Sequence, residues 1–101
     1  MTAIKATFCS TPGELQNLIF WARGFTMIMY KLGYFTKYMC TSEVLLDSPS
    51  EDLEFSVTLY LKDEEIFQEN IQTFKEAVNE GIKDMPKKAR MLPIKLVEVH
   101  R

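Results

Sequence analysis

The sequence predicts a single α+β domain over residues 1–101, with its elements in the order β-α-β-β-α-β. Three observations carry that expectation: an alternating run at the start, a strong helix-start signal immediately after it, and two further strand-like runs ahead of a second helical stripe. Residues 3–9 set Ile4, Ala6 and Phe8 against Lys5, Thr7 and Cys9. A period of two is what a strand with one buried face produces.

Thr11-Pro12-Gly13-Glu14 follows, and is predicted to open a helix. The threonine would cap, the proline would occupy the first helical position, and the glutamate would return a carboxylate to the cap three residues on. Leu15, Leu18, Ile19, Ala22, Phe25 and Met29 then recur at helical spacing. Phe20, Trp21, Met27, Ile28 and Tyr30 fall on the other faces, so the apolar surface is wider than one side of a sheet needs. Gly33 is the expected left-handed terminator.

Residues 36–47 and 53–62 are predicted as two strands joined by the turn Asp47-Ser48-Pro49-Ser50-Glu51-Asp52, whose proline and short polar side chains favour reversal. In the second, Phe55, Val57, Leu59 and Leu61 alternate with Glu54, Ser56, Thr58, Tyr60 and Lys62. The first is less regular: Tyr38, Cys40, Val44 and Leu46 share a parity, and Met39 and Leu45 lie opposite.

Asp63 can cap the second helix, and Glu64 and Glu65 suit the positive end of its dipole. Phe67, Ile71, Phe74, Val78 and Ile82 form one narrow stripe, ended by Met85-Pro86. Lys87-Lys88-Ala89-Arg90 is expected to be a connecting loop, and residues 91–100 the last strand. The pattern of that strand changes phase between Leu96 and Val97, which implies either a bulge or apolar contact on both faces. This order matches the split β-α-β arrangement usually called ferredoxin-like, a four-stranded antiparallel sheet with two helices on one face.

Composition narrows the function classes. A chain that is 47% hydrophobic and 26% charged is too apolar to be disordered. A formal net charge of −2 disfavours a dedicated nucleic-acid or anionic-membrane protein. Cys9 and Cys40 form no disulfide framework and are expected to be free thiols, and Met1-Thr2-Ala3-Ile4-Lys5 has no secretory character, so a cytoplasmic protein is predicted. Residues 18–35 approach the length of a bilayer span, but Arg23 and Lys31 would be costly within one.

A catalytic relay or metal site would have to be built on His100, the single histidine, next to the end of the sequence. Cys9, Cys40 and His100 lack the spacing of zinc ligands, and Gly13, Gly24, Gly33 and Gly81 are isolated, without the pattern of a phosphate loop. No catalytic residue, cofactor or metal is therefore expected. The acidic group Glu43, Asp47, Glu51, Asp52 and Glu54 is expected to be a solvated hairpin tip.

The expected function is non-catalytic binding of a protein partner, as an inhibitor, adaptor or regulatory subunit. Its surface would be Phe20, Trp21, Met27, Ile28 and Tyr30, residue types enriched at interface centres. Self-association as a homodimer or other homo-oligomer is expected too, with Tyr60, Val97 and Val99 on the open sheet face as a second surface. A nucleic-acid regulator using Lys83, Lys87, Lys88 and Arg90, with Lys95 nearby, is one alternative, and only Tyr60 could stack a base. A small dimeric enzyme with a pocket between sheet and helices is the other.

Overall fold

The computed structural model describes residues 1–43 and 53–100. The expected turn at 47–52, with Val44, Leu45 and Leu46, lies outside the described residues.

The elements are β1 (Thr2–Ser10), α1 (Leu15–Tyr30), β2 (Phe35–Glu43), β3 (Leu53–Leu61), α2 (Glu64–Glu69), α3 (Ile71–Gly81), β4 (Arg90–Met91) and β5 (Lys95–Glu98). All pairings are antiparallel: β2 with β3, β3 with β1, and β1 with both β4 and β5. The small antiparallel α+β fold is thus as the sequence implies. Among the described residues the count of four strands is corrected to five, because Pro93 cannot donate to a ladder and splits the last run. Leu92 N still donates to Thr7 O at 2.8 Å across the break. The phase change resolves without a bulge. Leu96 is opposite Ile4 and Val97 opposite Ala3, so apolar side chains stand on both faces.

Local chemistry explains two departures from the expected helices. The chain enters α1 through a 3₁₀ turn, Pro12–Glu14, and Thr11 makes no side-chain cap; the Glu14 carboxylate is instead 3.4 Å from Asn17 Nδ2. The expected capping box is therefore not formed. Asp63 does cap, accepting from Ile66 N at 3.1 Å. The expected second helix is broken into α2 and α3 at Asn70, whose Nδ2 donates to Ile66 O at 2.8 Å. A side chain that competes for the backbone in this way disfavours uninterrupted helix. Gly33 terminates α1 with φ +90, as its position implies.

Both long helices lie on the sheet face that carries Ile4, Ala6 and Phe8. Leu18, Ala22, Phe25 and Met29 of α1 pack there beside Phe67, Phe74 and Val78, against Phe55, Val57 and Leu59 of β3. The opposite face is not an open apolar plain. Ala3, Cys9 and Ser56 are buried, Thr7 and Ser56 share a 3.1 Å hydrogen bond, and Lys37 Nζ sits 4.7 Å from the centre of the Tyr60 ring. Among the described residues no helix is long and apolar enough to cross a membrane.

Candidate functional site

The helix α1 has more apolar side chains than its sheet-facing stripe can hold, and the structure sorts them into two groups. Trp21 and Tyr30 are half-buried within the protomer. The Trp21 ring stacks on Phe25 at 5.0 Å and meets Phe8 edge-on at 5.3 Å. Tyr30 meets Tyr38 edge-on and donates its hydroxyl to Thr36 O at 3.1 Å. Phe20, Ile28 and Met27 remain outside, 84%, 56% and 41% exposed. The five residues expected to act together therefore form three external side chains and two that the fold itself engages.

Phe20, Gly24 and Ile28 are spaced by four, which aligns them as one ridge along α1. Beside the ridge runs an open groove of about 830 Å³, lined by Phe20, Trp21, Phe25 and Ile28 on one side and Asp84, Pro86, Lys87 and Lys88 on the other. Two glycines shape it. Nothing lies within 4 Å of a Cβ placed at Gly24, so there is open space at that position. A Cβ at Gly81 would sit 2.6 Å from the Phe25 ring, so α3 approaches α1 closely there because it has no side chain. Gly24, Phe25, Gly81 and Pro86 were not foreseen as site residues; the four-residue spacing of Phe20, Gly24 and Ile28 was the available signal.

The basic residues are divided by the fold. Lys87 and Lys88 border the α1 groove, whereas Lys83 pairs with Glu80 at 3.0 Å on the exposed end of α3. Arg90 is in β4, not in a loop, opposite Cys9. Lys95 begins β5, opposite Lys5. Tyr60, the one candidate for base stacking, is 9% exposed beneath Lys37. Val97 and Val99 are half-buried.

Among the described residues, the polar lining of the α1 groove is Glu14, Asn17, Asp84, Lys87 and Lys88, which combines both signs of charge. Among the described residues no three His, Cys, Asp or Glu side chains come together as a metal site. Both cysteines are free thiols: Cys9 is buried and Cys40 half-buried. Burial pushes the Cys40 thiol above its ordinary pKa, while the Arg23 charge and the Thr26 hydroxyl pull the other way.

No protein-family profile and no curated protein sequence matches the chain. Solved structures do resemble it. An ethyl tert-butyl ether D (EthD) family protein from Bacillus halodurans aligns with a TM-score of 0.63 at 16% identity, over 94% of this chain and 97% of that one. SnoaB, a cofactor-independent oxygenase from Streptomyces nogalater, aligns with 0.58 at 7% identity, over 99% and 94%. An antibiotic biosynthesis monooxygenase aligns with 0.52 at 12% identity over the whole of both chains. At identities this low the likeness shows the fold alone, a small antiparallel α+β domain.

Proposed function

We propose that this protein is a ferredoxin-like, non-catalytic binding module that engages a protein partner through the Phe20–Gly24–Ile28 ridge and the groove beside it. The observation that supports this reading is the exposure of Phe20 and Ile28 on one line of α1, next to a groove with apolar walls. Burying two such side chains is worth about 1.5–3 kcal/mol each, before the costs of association are met. Those two side chains alone fall short of the about 8 kcal/mol that a micromolar complex needs, so the groove walls and the Lys87 and Lys88 charges must contribute the rest. Self-association is part of the proposal, and Met39 on the open sheet face, 48% exposed, is a second contact point.

The test is capture from native cell extract with the parent and with Phe20→Glu/Ile28→Glu, followed by mass spectrometry. A partner retained by the parent and lost by the double variant supports the reading, and equal retention refutes it. Light scattering after gel filtration tests the oligomer, and a monodisperse monomer removes it. A nucleic-acid regulator is less well supported, because Tyr60 is covered and the basic residues are dispersed. Binding of RNA or DNA at physiological salt that is lost in Lys87→Glu/Lys88→Glu would reinstate it.

A second reading has one observation in its favour. A groove of about 830 Å³ with Trp21 and Phe25 in its walls is within the size of small-molecule sites, roughly 300–1,000 Å³. One of the solved structures of similar fold is described as an oxygenase that needs no cofactor. Oxygen consumption with a panel of small apolar compounds, abolished by Gly24→Trp, would favour this enzyme reading over the binding module.

A further inference from the structure

We propose that the cleft between α3 and β5 binds a small amphipathic carboxylate, an apolar body of about ten heavy atoms with one anionic end. The cleft lies apart from the α1 groove and has a volume of about 340 Å³. Ile4, Phe74 and Val78 form a buried apolar floor, and Ile94 and Leu96 stand on the strand side. Leu96 is 46% exposed although its register partner Ile4 is buried, so it offers apolar surface that the protomer does not cover.

The charge of the lining selects the ligand. Among the described residues, Lys75 on α3 is the cation bordering the cleft, because Lys95 opposes Lys5 on the other sheet face; Gln68 and Asn79 are the neutral polar lining residues, with no Asp or Glu beside them. An apolar floor with one ammonium and two amide side chains beside it matches a molecule whose tail is buried and whose carboxylate meets the Lys75 ammonium. The space corresponds to roughly ten water molecules at about 30 Å³ each. That is room for an eight-carbon chain or a single substituted ring.

The full-length chain labelled with ¹⁵N would be titrated with octanoate, with 1-octanol as the uncharged control. Saturable shifts at Ile71, Ile94 and Leu96 are expected, with a dissociation constant on the order of 0.1–1 mM. Octanol should bind a few-fold more weakly. Lys75→Glu, a change on the exposed side of α3, should weaken octanoate about fivefold and leave octanol unchanged. Shifts that fail to saturate at millimolar ligand, or that centre on Phe20 and Ile28, overturn the proposal. Equal affinity of the parent for octanoate and octanol overturns it as well.

Discussion

The same substitution at two helical glycines is expected to act in opposite directions, because only one has space. Gly24 is inside α1 with nothing within 4 Å of an added Cβ. Gly24→Ala should stabilise by about 0.5–1 kcal/mol, from helix propensity and a less free unfolded chain. Gly81 ends α3, where a Cβ would sit 2.6 Å and 2.7 Å from two carbons of the Phe25 ring. Ordinary carbon contacts are about 3.5–4.0 Å, so the ring or the helix must move by about 1 Å. That ring is buried, stacked on Trp21 at 5.0 Å and edge-on to Phe8 at 6.0 Å, so it has little room to yield. Overpacking of this kind costs about 1–3 kcal/mol, and the propensity gain at a helix end offsets only part of it. A net loss of about 1–2 kcal/mol is expected for Gly81→Ala. In a domain of this size each kcal/mol moves Tm by about 4–8 °C. Urea melts followed by Trp21 fluorescence and by helical circular dichroism measure both variants. A Gly81→Ala protein as stable as its parent, or two variants shifted in the same direction, would refute the packing argument.

Three further outcomes follow from the helix ends and the thiol. Asp63→Ala removes the oxygen that accepts from Ile66 N, and should lower stability by about 1 kcal/mol in the same melts; Asp63→Asn should recover most of that loss. Gly33→Ala meets no neighbouring atom, yet places a side chain at φ +90, and should cost about 1–2 kcal/mol from backbone strain alone. Cys40 should alkylate with a pH midpoint above that of the urea-unfolded chain, tested in a Cys9→Ser background. The sign for stability is fixed by the same shift. The unfolded thiol ionises first, so the Cys40 contribution is complete below the unfolded pKa and declines as pH rises through the folded one. A midpoint at or below the unfolded value would contradict the burial of this thiol.

Much of the fold was legible because local chemistry and periodicity agreed. The alternation of β1 and β3, the cap at Asp63, the terminator at Gly33 and the stripe Phe67, Phe74, Val78 each record a local constraint. The misread features involve competition between partners. Glu14 lies by Asn17 rather than returning to Thr11, and Asn70 bonds to Ile66 O and divides a helix that its apolar stripe makes look continuous. Pro93 was present in the sequence, but whether a proline ends a strand or interrupts one depends on what β1 still accepts across the gap, here Leu92 N at Thr7 O.

The sequence by itself determined that α1 is too apolar for its sheet, since composition and spacing suffice to count side chains against faces. Which of them stay outside was decided only by tertiary structure. Trp21 is half-buried because Phe8 and Phe25, distant from each other in the chain, provide ring faces and edges at 5.0–5.3 Å. Phe20 is left exposed because its position on the helix points to no neighbour. The α1 groove and the α3–β5 cleft likewise exist only where elements far apart in sequence approach without closing, and a linear pattern holds no record of those distances.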